Sequence, residues 1–271
     1  MFRGTFVCCG IYICVKTIAV YDSGFGGVYC FKQLQELLNN FGVRLLYLCD
    51  NNSCPLGKKS KQQIASSVTR MVEKANNANE VVALLLACNT ATSACKCELE
   101  KLFDFKVFGL LPDVERAKRL KRQTLILATK ATVKNYEKLN QINDKKNIEI
   151  IGLKNLAKII ENYYKYPEII EKYLKLKIPK KTRENTINVV FGCSHYKIIQ
   201  KCFENVFKNC KRYLSNENEM CEKIYKYCQK NIEKKQTKNE VRIMFSANDD
   251  VYINNFFEFY KNFTCPQSMS L

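Results

Sequence analysis

The chain has 271 residues, 46% of them hydrophobic, which is enough for one large domain or two modest domains with buried cores. Its 44 basic and 26 acidic side chains give a formal net charge of +18. Such a charge is typical of nucleic-acid binding, but these lysines are spread along the chain instead of forming one dense stripe. We interpret them as solvated helix faces and expect no nucleic-acid partner. No apolar run reaches the length that crosses a membrane, so we expect no membrane partner either.

The cysteines are odd in number, 15 in all, irregular in spacing, and several fall inside apolar patterns. We therefore expect most of them to be small buried hydrophobic side chains in a protein of the reducing cytoplasm. The Cys95–Cys97 and Cys8–Cys9 pairs have no partners at the spacing of a zinc site, so we expect no metal.

Residues 1–16 precede the first predicted strand. Phe6–Val15 is apolar and follows Arg3, as in a short signal segment, but it lacks a small-residue cleavage site. An added strand explains the pattern equally well. We treat residues 1–16 as an N-terminal extension whose role the sequence leaves open.

Strands and helices alternate along the rest of the chain. Short apolar runs predict strands at 17–21, 44–48, 81–87, 107–111, 124–128, 148–151, 188–191 and 241–245. Helical periodicity predicts helices over 26–40, after the cap residue Ser60, and over 92–103, where Leu99 and Leu102 are expected to face inward. Strands that alternate with helices indicate parallel sheets, and their number exceeds a comfortable single sheet. We therefore predict an α/β fold of two doubly wound, mainly parallel lobes.

Two cysteines follow predicted strands and open onto small polar clusters. They are Cys88, in the stretch ACNTA at 87–91, and Cys193, in GCSHY at 192–196. Open α/β sheets place ligand chemistry at strand carboxyl ends, and the separation of the two thiols is about the length of one lobe. A cleft between the lobes, with one thiol from each, would place an acid and a base on opposite faces of a substrate. That arrangement suits inversion at a carbon better than hydrolysis.

Polar residues around these thiols have both functional and structural interpretations. The Asp22–Gly27 turn (DSGFGG) frees backbone amides for an anion, although Asp22 is equally suited to cap a helix. Cys88 precedes a predicted helix, whose N–H groups are expected to stabilise a thiolate; the Asn and Thr that follow it donate to a carboxylate or cap the helix.

His195 is the single histidine of the chain, and its position after Cys193 favours a role in tuning or protonating a reacting group. A Cys–His protease is a weaker interpretation, because it leaves the second cysteine motif without a role. Thr129 and Thr132, at a strand-to-helix junction, either bind a carboxylate or cap the helix.

Taken in order, these motifs resemble the glutamate racemase family, and the similarity runs from Ile18 to about Gln200. Its anchors are DSG with GG at 22–27, ACNTA at 87–91, and GC with HY at 192–196. The resemblance implies a cofactor-independent racemase that acts on glutamate in the cleft between two lobes and supplies D-glutamate for peptidoglycan synthesis. It also implies that the C-terminal segment completes the first lobe. We therefore place the first lobe at 17–95 plus 205–271 and the second at 96–204.

The resemblance further assigns roles to individual residues. Cys88 is implied to act on the D enantiomer and Cys193 on the L enantiomer. Asp22 would assist Cys88 and His195 would assist Cys193. Glu161, on the helix after the strand at 148–151, is implied to assist as well. The residues implied to hold the substrate are Asp22, Ser23, Leu56, Gly57, Asn89, Thr90, Thr129, Thr132, Ser194 and His195.

Several positions depart from the family pattern. Leu56 stands where Tyr is usual, Ser194 replaces a Thr, Lys197 replaces a Pro, and LKN at 153–155 lacks the family's Cys-Pro-Leu. How much turnover survives these changes is left open, as are a homodimer and an allosteric activator. The alternatives are an aspartate racemase, disfavoured by the DSG and CNTA strings, a basic nucleic-acid-binding protein on a racemase scaffold, and a remnant without activity.

Overall fold

The structure is a computed structural model that describes residues 15–142, 146–235 and 237–263. The N-terminal extension, up to residue 14, lies outside the described residues. The described strands are β1 (Lys16–Asp22), β2 (Arg44–Cys49), β3 (Glu80–Leu86), β4 (Lys106–Gly109), β5 (Thr124–Thr129), β6 (Ile148–Leu153), β7 (Asn188–Gly192), β8 (Arg212–Leu214) and β9 (Glu240–Phe245).

Helices fill the connections between these strands. They are α1 (Val28–Leu37), α2 (Lys61–Ala78), α3 (Asn89–Leu102), α4 (Val114–Arg119), α5 (Lys130–Asn135), α6 (Glu137–Asn140), α7 (Leu156–Tyr163), α8 (Pro167–Lys177), α9 (Lys180–Asn185), α10 (Gln200–Val206), α11 (Glu217–Asn231) and α12 (Asp250–Asn262). Short 3-10 turns occupy Asn51–Ser53, Leu56–Lys58 and Ser194–Lys197.

The first sheet has the strand order β4-β3-β1-β2-β9, and all its pairings are parallel. Its central strands are buried on both faces, which explains their nearly continuous apolar sequences. Ile18 and Tyr47 pack under α1, α11 and α12 on one face. Ala19 and Leu48 pack under α2 and α3 on the other. These elements form the first lobe.

The second sheet has the order β6-β5-β7-β8 and is also parallel. Leu127 and Val189 pack against α7, α8 and α10 on one face. Ile126 and Val190 pack against α4 and α6 on the other. The two-lobed, parallel α/β architecture predicted from the sequence is therefore confirmed.

Two strands correct the predicted limits of the lobes. The predicted second lobe began at residue 96, but β4 pairs with β3 in the first sheet. The helix α3 connects these two neighbouring parallel strands, so β4 belongs to the first lobe. The predicted second lobe ended at residue 204, but β8, which the sequence did not predict, pairs with β7 of the second sheet. In the later part of the C-terminal segment, α11 and α12 pack on the first sheet.

Two of the local predictions are confirmed, for Ser60 and Leu99, and the prediction for Leu102 is wrong. Ser60 caps α2 as predicted, and its side chain accepts from the Gln63 backbone N–H in a capping box. Leu99 is buried as predicted, but Leu102, the last residue of α3, is 61% exposed. Among the described residues no helix is both long and apolar enough to cross a membrane.

Candidate active site

Both sheets have a topological switch point, where the chain continues to opposite sides of one strand. In the first sheet β1 is flanked by β2 and β3, and in the second β5 is flanked by β6 and β7. Crevices open at such points, beyond the carboxyl ends of the strands. Asp22 ends β1 and Cys88 follows β3, whereas Thr129 ends β5 and Cys193 follows β7. The fold therefore gathers the predicted residues at facing edges of the two sheets.

The two thiols line one cavity between the lobes, with a volume of ≈ 30 Å³. Cys88 and Cys193 are each only 6% exposed. The Ser23 hydroxyl lies 3.9 Å from the Cys88 sulfur, and Nδ1 of His195 lies 3.9 Å from the Cys193 sulfur. Each thiol thus has a polar side chain of its own lobe beside it in a shared, nearly closed space.

Burial controls the acidity of Cys88. Its pKa is raised well above the ordinary value, chiefly by burial and then by the negative charge of Asp22. The Ala91 backbone N–H at the start of α3 and the Ser23 hydroxyl lower the pKa, as the sequence predicted, but they do not compensate for burial. The predicted stabilisation by the helix N–H groups is therefore present, but burial outweighs it and favours the protonated thiol.

His195 forms a buried pair with Glu161. Its Nε2 lies 2.7 Å from Glu161 Oε1, and both side chains are almost fully buried. Burial alone lowers the pKa of His195, but the hydrogen bonds to Cys193 and Glu161 outweigh it and raise the pKa well above the ordinary value. His195 is therefore held as an imidazolium, which stabilises negative charge on the neighbouring sulfur.

Asp22 links the two lobes through hydrogen bonds, although none of those described below is to Cys88. Its carboxylate accepts from the Gly24 N–H at 2.9 Å and from the Ser194 hydroxyl at 2.8 Å, so a residue of the first lobe is joined to one of the second. Burial raises the pKa of Asp22 to about 6, against the charge of His195 and these hydrogen bonds, which lower it.

Three threonine hydroxyls form a triangle at the opposite wall. Thr90 lies 2.9 Å from Thr129 and 3.1 Å from Thr132, and the last two are 2.9 Å apart. Thr129 also caps α5, because its hydroxyl accepts from the Thr132 N–H. Both interpretations therefore hold for Thr129, which caps the helix and lines the cavity, whereas Thr132 is connected to the cavity through its hydrogen bonds to Thr90 and Thr129.

The predicted substrate residues divide into two groups. The cavity is lined by Ser23, Leu56, Gly57, Thr90, Thr129 and His195. The others, Asp22, Asn89, Thr132 and Ser194, lie buried outside its lining. Of these, Asp22, Thr132 and Ser194 bond to neighbouring site residues.

The sequence did not single out the lysines of this cleft. Lys58, Lys130 and Lys154 line the cavity, and Lys130 and Lys154 also line an adjoining cavity of ≈ 260 Å³ together with Lys177. Among the residues that the structure describes, no carboxylate lines either cavity. The available signals were basic residues within the stretches GKKS at 57–60, TKAT at 129–132 and LKN at 153–155. In the described part of the chain, no group of His, Cys, Asp or Glu side chains is arranged to hold a metal ion.

Two parallel α/β lobes that each bring a thiol to one cleft define the class of two-lobed, two-thiol racemases. No family model matches the chain. It is 30% identical over 199 residues to a glutamate racemase of Clostridium botulinum (strain Kyoto / Type A2), covering 72% of this chain and 76% of that protein. A glutamate racemase of Histophilus somni (strain 129Pt) is 28% identical over 90% of this chain and 93% of its own.

The crystal structure of Escherichia coli glutamate racemase, in complex with L-glutamate and the activator UDP-MurNAc-Ala, superimposes with a TM-score of 0.75. Its sequence identity is 24%, and the match covers 91% of this chain and 95% of that one. The chain belongs to the glutamate racemase family.

Proposed function

We propose that this protein interconverts L-glutamate and D-glutamate, with Cys88 and Cys193 as the two acid–base groups. The observation that carries the proposal is that both sulfurs line one cavity and come from opposite lobes. Homology to glutamate racemases over most of the chain supports glutamate as the substrate.

In the L-to-D direction Cys193 acts as a thiolate and removes the α-proton, leaving the electron pair of the C–H bond on the substrate. Cys88 then delivers its S–H proton to the opposite face of the carbon, which gives D-glutamate, a thiol at Cys193 and a thiolate at Cys88. The resting charges favour this order, because the raised pKa of Cys88 keeps its proton and the His195 imidazolium faces Cys193. The reverse reaction starts from a Cys88 thiolate and restores the first state.

The α-proton of an amino acid is far less acidic than a thiol, so the carbanion needs donors at the α-carboxylate. The threonine triangle, with Ser23 and the Cys88-Asn89-Thr90 turn, supplies neutral donors around the cavity. The lysines at the cleft mouth add positive charge that favours an anionic substrate.

The cavity has room for about two water molecules, which is less than a glutamate molecule occupies. The lobes therefore have to separate for glutamate to enter and leave. Closing them around glutamate excludes water and strengthens the electrostatic contacts within the site.

The test is circular dichroism of the purified protein with L-glutamate, D-glutamate and L-aspartate in separate reactions. Loss of the dichroic signal with both glutamate enantiomers, and not with aspartate, is the expected result. Cys88→Ser and Cys193→Ser should each abolish inversion in both directions, because each direction needs one sulfur as base and the other as acid. The exposed Cys97→Ser serves as the control and should keep full activity.

Near-normal turnover in either site variant would contradict the two-thiol assignment. Inversion of aspartate alone would favour the aspartate racemase alternative, and no inversion would favour the inactive remnant. The family implies further that D-glutamate supplies peptidoglycan synthesis in the cytoplasm, which we include in the proposal, together with a homodimer as the assembly to test.

A further inference from the structure

Glu161 is more than a partner of His195, because its carboxylate accepts hydrogen bonds on both oxygens. Oε1 accepts from the Phe25 backbone N–H at 2.7 Å and lies 2.7 Å from His195 Nε2. Oε2 accepts from the Tyr252 hydroxyl at 3.1 Å and from the Cys54 thiol at 3.4 Å. Glu161 is carried by α7 of the second lobe, whereas the other donors, His195 apart, come from elements that surround the first sheet.

Tyr252 is the stronger donor of the two on Oε2. A thiol is a weak donor, whereas burial and the charge of Glu161 raise the pKa of Tyr252 well above its ordinary value, so its hydroxyl keeps its proton. The residue is fixed in the first turn of α12, where its backbone N–H donates to Asp249, and its ring packs against Phe25 with centroids 5.4 Å apart. Tyr252 is therefore rigidly aimed at Glu161.

The charged and titratable neighbours of the pair are few. His195 faces Cys193, Glu161 and Asp22. Glu161 in turn faces Asp22, Tyr47, Cys49, Cys54 and Tyr252. Of the neighbours named here, Tyr252 belongs to α12.

We propose that Tyr252 is a positioning residue for the site: by holding Oε2 of Glu161 it keeps Oε1 aimed at His195, and through His195 it supports the Cys193 side of the reaction. It touches neither the cavity nor the proposed substrate, and the last link of this chain rests on the proposed function. Because α12 packs on the first lobe and α7 on the second, the Tyr252–Glu161 hydrogen bond joins the two lobes.

The chain contains a single histidine, so the titration of His195 can be followed by NMR of the imidazole without assignment and without substrate. In Tyr252→Phe the midpoint should fall by about one pH unit, the size expected when a hydrogen bond to a charged group is lost. Tyr260→Phe is the matched control, since Tyr260 lies on the same helix and its hydroxyl donates to Gln35 at 2.9 Å instead. Its midpoint should equal that of the wild-type protein.

Activity gives an independent measurement. In Tyr252→Phe we expect kcat/KM to fall about tenfold and its alkaline limb to move to lower pH, as the NMR midpoint does, while Tyr260→Phe keeps both. Unchanged midpoints in Tyr252→Phe, or equal shifts in the two tyrosine variants, would overturn the proposal.

Glu161→Gln keeps the test decisive if Tyr252→Phe does not fold. Its His195 midpoint should fall at least as far, and adding Tyr252→Phe should lower it no further, because both changes break the same link. An unshifted midpoint in Glu161→Gln would also overturn the proposal. If the His195 midpoint shifts in the variants as expected but the wild-type protein does not racemise glutamate, the proposed function is refuted and the positioning role of Tyr252 is retained.

Discussion

Replacing Asp22 by Asn should make the protein more stable and less active at the same time. The carboxyl is fully buried, and burial raises its pKa from the ordinary 3.8 to about 6. At 1.36 kcal/mol per pKa unit, the ionised group costs the folded state about 3 kcal/mol above pH 6. Asn removes that charge, but it rearranges the contacts to Gly24 and Ser194, which costs about 1 kcal/mol. We expect a net gain of about 2 kcal/mol at pH 8.

The sign of the pH dependence follows from the direction of the shift. Since the folded-state pKa of Asp22 lies above the unfolded value, the folded protein holds the extra proton between pH 3.8 and about 6, and Asp22 lowers stability as pH rises through this window. At pH 4 the carboxyl is protonated in the folded state, so the gain from Asp22→Asn should vanish there or reverse by about 1 kcal/mol.

Urea unfolding followed by circular dichroism at pH 4, 6 and 8 measures these differences. Asp104→Asn is the control, because Asp104 is exposed and its replacement should change the free energy of unfolding by less than about 0.5 kcal/mol at each pH. Activity of Asp22→Asn should fall about 10²-fold, as expected for loss of an assisting acid–base group. A stability difference that does not vary with pH, or a variant less stable than wild type at pH 8, would refute the reasoning.

Two further perturbations test the cleft. His195→Asn should lower kcat/KM about 10²-fold. The kcat values for the two enantiomers should fall by different factors. The two kcat/KM values must stay equal, because the equilibrium constant between enantiomers is one. Small and equal losses in kcat would mean that His195 is merely structural. Lys154→Gln should raise KM for glutamate about two- to fivefold at low salt, and less at high salt, whereas Lys172→Gln, on α8 and away from the cavity, should not. A KM effect that persists in high salt would exclude an electrostatic role for Lys154.

The sequence predicted the features of the fold that depend on local pattern. Apolar runs that end in a cysteine motif placed Cys88 and Cys193 at strand ends, and the parallel sheets then brought both to one cleft. The short strand β8 (Arg212–Leu214) was missed because three residues that begin with Arg give no apolar run. Leu102 was placed inward because periodicity does not show where α3 ends.

Features that depend on tertiary packing could not be predicted. Tyr252 meets Glu161 across 91 positions of the chain, and neither residue has a neighbouring pattern that indicates the contact. The sequence indicated the helix N–H groups that lower the pKa of Cys88, but not the larger effect of burial, which depends on everything packed around the sulfur.

The space beside Gly24 has a consequence for how the chain can vary. A Cβ atom at this position would lie 1.6 Å from Glu161 Oε1, although the backbone of Gly24 is not in the left-handed region. The space beside Gly24 is thus filled by a carboxylate that the chain supplies 137 residues later. Any side chain at Gly24 would displace the Glu161 carboxylate from its contacts with Phe25 and His195.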